Sequence, residues 1–251
     1  MIPDANILQP LIDVANAVLK FFHDNVGLSW GLSIVAITVC TRAILIPLTY
    51  KQLKGMRAMQ ALQPQMKEIQ EKFKNDKQRM QQEMMRFYKE NKVNPFASCI
   101  PLIAQLPVFI TLFYTLRHEL PPDMGCEAGH CAAYGAEFLF IKDLTASAHG
   151  AELIVLLVLY VGTQLASGFF MSVTADKSQR TMMFILPLIF VPFVIKFPAG
   201  LILYWITTNI WTIGQGITIN KIIPAPHVAT PEEKRAAKPP PKSPKKKKRR
   251  R

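Results

Sequence analysis

Five long apolar stretches of this chain, roughly residues 29–49, 97–116, 153–173, 182–197 and 199–219, contain no aspartate, no glutamate and no histidine. An intramembrane protease needs paired carboxylates or a nucleophile with a histidine base, so neither arrangement can be built here. Proton relays through a membrane also run on Asp, Glu or His, and that absence argues against a proton-driven transporter. No phosphate-binding loop, metal-ligand cluster or dinucleotide fingerprint occurs elsewhere. The chain is therefore not read as an enzyme, and no cofactor is expected. Cysteine is scarce at four residues, and Cys40 and Cys99 fall inside apolar stretches, where they read as core residues. The opening "MIPDANILQPLIDVANAVLKFFHDN" has no basic stretch at its start, so no cleavable signal peptide is expected.

What the 251 residues do hold is a chain half hydrophobic yet carrying net charge +13. Its apolar residues are gathered into blocks separated by charged segments, the pattern of a membrane protein rather than of a soluble core. All five blocks are read as spanning helices, and the fourth is the shortest, ~24 Å of helix. Lys and Arg fall 25 on one side of these spans and four on the other, with Arg42 inside. That asymmetry sets the N-terminus outside and the C-terminus in the cytosol. Residues 1–28 read as an extracytoplasmic amphipathic helix, since Leu8, Leu11, Ile12, Ala15, Val18, Leu19 and Phe22 recur at helical spacing.

Between the first two spans, residues 50–94 carry Met56, Met59, Met66, Met80 and Met84 among Leu62, Ile69, Phe73 and Phe87. Their steps of three and four fit two antiparallel helices turning at Asn75 and Asp76. Such a hairpin could pack on itself, or its flexible methionines could leave an adaptable apolar surface for partners. The outer loop 117–152 contains "CEAGHC"; outside the cell a Cys126–Cys131 disulfide is permitted, free thiols are the alternative, and the His spacing fits zinc poorly. Residues 223–251 are Pro-rich and then basic, ending in Lys245, Lys246, Lys247, Lys248, Arg249, Arg250 and Arg251. This tail is expected to be disordered and to meet ribosomal RNA or anionic lipid by counterion release.

Arg42 is the feature these readings must explain. It precedes Lys51 by nine residues, ~13 Å of helix, which starts it near the middle of a ~30 Å hydrocarbon core. Thr38 and Thr49 fall on its face of the helix, and the second span offers Gln105. Tyr160, Gln164 and Ser167 on the third span, and Tyr204, Thr208, Trp211 and Gln215 on the fifth, step by three and four. Neutral polar stripes around one charge describe a wet cavity within the membrane. A small-anion transporter or channel using Arg42 as its binding charge is the alternative, and a structural scaffold is a third.

The residues "TRAILIPLT" in the first span resemble the YidC/Oxa/Alb membrane-insertase family. So do "LQPQMKEIQEKFKND", "MQQEMMRFYKENKVNPFASCIPLIAQLPVFITLFY" and "FPAGLILYWITTNIWTIGQ", and together the likeness covers residues 28–222. It implies a minimal five-span, all-α integral membrane protein of the bacterial plasma membrane, with a cytosolic helical hairpin and an intramembrane hydrophilic groove. It also implies a monomer that receives nascent membrane proteins from ribosomes, alone or with the Sec translocon. By position in the matching segments, Arg42, Thr38, Gln105, Gln164, Tyr204, Trp205 and Thr208 would line the groove, and the hairpin methionines would recruit substrate.

Overall fold

The structure is a computed structural model, and it describes residues 8–91, 93, 100–172 and 177–222. The described residues are helical throughout apart from turns and two isolated bridges. Helix α1 (Gln9–Lys20) starts with a proline in its first turn, where the missing N–H would have had no helical partner anyway. A π-helical turn, Phe21–Asn25, leads to α2 (Trp30–Ile44), whose first turn is capped by Ser29.

The first apolar stretch is not one straight rod. Helix α2 stops at Leu45, and α3 (Ile46–Ala61) leaves at 54°. Pro47 supplies the reason, because it has no N–H to offer the carbonyl of Ala43 and its ring crowds that carbonyl. The register that would place Thr49 on the face of Thr38 is broken at this point. A second break at Leu62, with Pro64 at the start of α4 (Gln63–Lys72), divides the segment that follows. Met56 and Met59 therefore lie on α3, Met66 on α4, and Met80 and Met84 on α5 (Lys77–Glu90). The periodicity predicted two helices because it runs on unbroken across Leu62. The turn falls at Asp76, whose carboxylate accepts from the Arg79 N–H at 2.9 Å and caps α5.

Helix α6 (Ile100–Tyr114) passes through a π-helical turn, Thr115–Glu119, into the short α7 (Leu120–Met124). After a loop come α8 (Gly150–Ser172), α9 (Lys177–Val194) and α10 (Ala199–Ile222). Helix α10 packs between α8 and α2, and α9 packs on α8. The core joins Ile34, Leu116, Leu144, Leu156, Leu201 and Ile202, all essentially inaccessible. By length and apolarity, Gly150–Phe170 is the described stretch that can cross a bilayer by itself, and Trp30–Ile44 with Ile46–Met59 can do so as one bent unit.

The loop between α7 and α8 is built as a cap. A disulfide joins Cys126 and Cys131, whose Cα atoms are 5.4 Å apart. The buried Asp143 carboxylate accepts from the Cys131 N–H at 2.7 Å, from the Thr145 N–H at 2.8 Å and from the Thr145 hydroxyl at 2.7 Å. Two N–H groups that α10 cannot satisfy within its own first turn are taken up by this loop. Ala199 donates to the Ala146 carbonyl at 2.7 Å, and Gly200 to the Leu144 carbonyl at 2.9 Å. The approach requires a glycine, since a Cβ on residue 200 would stand 2.9 Å from the Leu144 oxygen.

Helix α1 is tied to α7 by charge. Lys20 Nζ meets Asp123 Oδ1 at 2.8 Å, and Asn16 donates to Asp123 Oδ2 at 2.9 Å. Partial burial pushes the Asp123 carboxyl up, but the hydrogen bonds from Lys20 and Asn16 and the lysine's charge outweigh it and hold the group below its usual range. The same hydrogen bond raises Lys20. A lowered carboxylate contributes stability that is lost as pH falls through its folded value, whereas the raised lysine's share is lost only in strong alkali. Asp123→Asn is therefore expected to cost no more than ~1 kcal/mol at neutral pH, since exposed pairs contribute little. The difference from wild type should vanish below the carboxylate range, as read by thermal unfolding against pH.

Candidate functional site

Arg42 sits in the last turn of α2, half-buried, and among the described residues no carboxylate is paired with it. The break at Leu45 gives the charge a setting that a straight helix would not. The C-terminal end of a helix carries partial negative charge, and a cation in its last turn gains typically ~0.3–1 kcal/mol from it. The Tyr204 phenol of α10 lies within electrostatic reach of the guanidinium.

Threonines in these helices fall into two groups. Thr38, Thr41, Thr163, Thr207 and Thr212 each donate their hydroxyl to the carbonyl four residues back, at 2.6–2.9 Å, and need nothing else. Thr111 and Thr208 do not. Their hydroxyls are buried and make no hydrogen bond within the protein. The same holds for Gln105 Nε2 on α6 and for the Tyr204 hydroxyl, Trp211 Nε1 and Gln215 Nε2 on α10. The Tyr204 and Thr208 hydroxyls lie close to one another, but their geometry falls short of a hydrogen bond. A buried polar group without a partner costs roughly 1–3 kcal/mol, so a line of them is not kept for packing.

Beside this line, a cavity of about 330 Å³ opens among α1, α2, α6 and α10, with Val14, Thr38, Thr41, Thr111 and Tyr204 in its walls. The amphipathic face of α1 thus reaches down beside Ile37–Ile44 and closes one side. Arg42 itself does not line this space.

The structure brings Arg42, Tyr204 and Thr208 to one region and places Thr38 on the wall of the adjoining cavity. Gln164 is half-buried on α8 and uses its backbone carbonyl to accept from the Ser167 hydroxyl at 2.9 Å. Trp205 belongs to a different neighbourhood. It stacks on Phe109 with ring centroids 5.1 Å apart and meets Phe197 and Tyr160 at 5.9 and 5.6 Å, in an aromatic core. On the α4–α5 hairpin, Met80 and Met84 line a pocket with Gln70, Met85 and Tyr88. The basic tail from Lys245 to Arg251 lies outside the described residues.

Sequence reasoning missed Thr111, Gln52 and Arg57, all buried. Thr111 lies in an apolar run, and its neighbour one turn on, Thr115, donates its hydroxyl to the Thr111 carbonyl at 3.0 Å, a local pairing that does not mark a stripe. Gln52 and Arg57 fall among other basic and amide residues of the same segment, such as Lys51, Lys54 and Gln60, and the apolar period there marks the methionines and not them.

Known proteins share both the sequence and the fold. The profile of the family described as 60Kd inner membrane protein matches residues 21–226. A membrane protein insertase YidC of Streptomyces avermitilis is 37% identical over 236 residues, covering 82% of this chain and 55% of that relative. One from Haemophilus influenzae is 38% identical over 197 residues, covering 78% of this chain and 34% of the relative. The chain thus spans about half, or about a third, of the relatives it matches. A solved structure, the crystal structure of an active YidC insertase with its first transmembrane domain resolved, superposes with a TM-score of 0.65 at 25% identity. That superposition covers 85% of this chain and 47% of the other.

Proposed function

Because this chain belongs to the 60 kDa inner membrane protein family, we propose that it inserts nascent membrane proteins into the bilayer and helps them fold, working as a monomer, alone or beside the Sec translocon. The reading takes the five apolar stretches as spans of a 29–222 core, with the 117–152 loop outside, the N-terminal helix descending from that side along the first span, and the hairpin and tail in the cytosol. The observation that carries it is the line of buried, unpartnered polar atoms on α6 and α10 beside Arg42. Such a line supports a water-filled groove open to the cytosol and stopped on the outer side by the cap over α10.

The mechanism rests on solvation. The polar or acidic end of a nascent segment must cross hydrocarbon, which costs several kcal/mol for each group taken dry. Water in the groove shortens the dry path, and Arg42 attracts acidic groups along it. Opposite charges at ~4 Å gain between ~1 kcal/mol in water and ~4 kcal/mol at an effective dielectric of 20. The substrate's apolar helix then partitions into lipid, which draws the reaction forward without a nucleotide. The short fourth span would thin the bilayer beside this exit.

The test is reconstitution in liposomes with a ribosome-bound single-span substrate, scored by protease protection. Wild type should protect the translocated end, and empty liposomes should not. Replacing residues 63–90, helices α4 and α5, by a short Gly–Ser linker is expected to leave the spans folded and to abolish protection, since the hairpin delivers the substrate. Undiminished protection would remove the hairpin from the pathway. For the tail, deleting Lys245–Arg251 should weaken co-sedimentation with ribosomes and flatten its salt dependence. Binding that is unchanged across a salt series would leave the tail to anionic lipid.

A further inference from the structure

The cap carries a feature that closing a groove does not require. Phe138 and Ile141 exchange two backbone hydrogen bonds, at 2.9 and 2.8 Å, and so close a turn with only Leu139 and Phe140 at its tip. Leu139 has φ +54, the only non-glycine at positive φ among the described residues. A hairpin turn with positive φ at its first central position is normally filled by glycine, because a side chain there crowds the backbone. The strain is held in place from below. Ile141 is buried, and the Phe138 side chain packs against Gly31 so closely that a Cβ on Gly31 would collide with it.

The turn so fixed presents its apolar residues outward: Leu139 is 85% exposed and Phe140 42%. Tips of water-facing loops carry Gly, Asn, Asp or Ser, and here the chain keeps leucine in a conformation that leucine disfavours. The location names the partner. Gly31 lies in the first turn of α2, next to Trp30, so the tip stands at the level where the first span begins. Leu32, the residue after Gly31, is also exposed and apolar. An exposed Lys142 comes just after the turn, placed to meet lipid phosphate. We propose that Leu139 and Phe140 insert into the headgroup–acyl boundary of the membrane beside α2 and hold the cap against the bilayer. The proposal rests on reading α2 as a span, whichever side of the membrane its first turn faces. Apolar side chains carried at this depth, with a basic residue beside them, are the chemistry of interfacial anchoring.

The test uses site-directed nitroxides in the full chain reconstituted into phosphatidylglycerol–phosphatidylethanolamine liposomes, with Cys40→Ser and Cys99→Ser and the Cys126–Cys131 bridge intact. Labels are placed one at a time at Leu139→Cys, at Glu127→Cys on the exposed disulfide loop, and at Val39→Cys on the exposed side of α2. Collision with oxygen, which concentrates in lipid, is compared with collision with a water-soluble nickel chelate. Expected is a ratio favouring oxygen at 139, reversed at 127, and most oxygen-favouring at 39. Nickel access at 139 equal to that at 127, with 39 still in lipid, overturns the anchor and leaves the span standing. A label at 139 shielded from both reagents places the tip against protein and overturns it as well. Nickel access at 39 takes down the span and the anchor together.

Discussion

Arg42→Glu is expected to insert acidic-tailed substrates least well of any single variant at the proposed groove. The measurement is one reporter whose translocated tail carries zero, one or two aspartates, with protein level checked for each variant. Wild type attracts such a tail by ~1–4 kcal/mol, depending on how wet the site is, and glutamate turns that into repulsion of similar size. A tenfold change corresponds to about 1.4 kcal/mol, so the two-aspartate reporter should lose at least roughly tenfold while the neutral reporter changes little. Arg42→Ala should fall between, because it removes the attraction without adding repulsion. Arg42→Lys should keep most activity, since a hydrated site does not require the guanidinium's two-pronged geometry and the last turn of α2 favours either cation. Equal insertion of all reporters by the Ala and Glu variants would end the electrostatic account. Loss of the protein itself in every variant would make Arg42 a structural residue.

The largest effect on stability is expected at Gly200. Its Cβ position lies 2.9 Å from the Leu144 carbonyl oxygen and 3.2 Å from both Ile34 Cδ1 and Leu116 Cδ1. The backbone oxygen cannot move aside without giving up its hydrogen bond from the Gly200 N–H, which caps α10. Overpacking costs roughly 1–3 kcal/mol, and a lost buried hydrogen bond a similar amount. Gly200→Val should therefore cost about 2–6 kcal/mol, and Gly200→Ala somewhat less. Gly162, in the middle of α8, has nothing within 4 Å of its Cβ position. Gly162→Ala should gain up to ~1 kcal/mol from helix propensity. Thermal unfolding in detergent reads both, and the opposite signs are what packing at Gly200 requires.

The sequence carried what has a period or a charge. The steps of three and four through Tyr204, Thr208, Trp211 and Gln215 mark one face of α10, and all four residues hold a polar atom without a protein partner. Asp76 was legible as a turn because it interrupts an apolar period and can cap the helix that begins at Lys77. The bend at Leu45 was not read, although Pro47 was in view, because apolar residues continue on both sides of it. Trp205 shows a second limit. One residue from Tyr204, it faces about 100° away, and its place against Phe109 depends on how α6 meets α10, which no local pattern reports. The cap was hidden for the same reason. The Leu144–Gly200 and Phe138–Gly31 approaches join residues far apart in the chain, and glycines in apolar helices look alike until a neighbour arrives.

The line of unpartnered polar atoms also sets a length. From Gln215 to Tyr204 it climbs eleven residues of α10, ~16 Å, and it stops four residues, ~6 Å, short of Gly200, where the cap takes hold. On the proposed reading, only that last septum is dry. An extended chain advances ~3.3 Å per residue, so about two residues of a crossing tail are stripped of water at any moment, where a full ~30 Å core would strip about nine. The toll on a tail then depends on its worst neighbouring pair of residues rather than on its total charge. Two aspartates side by side would be dehydrated together, and the same two set several residues apart would pass in single file.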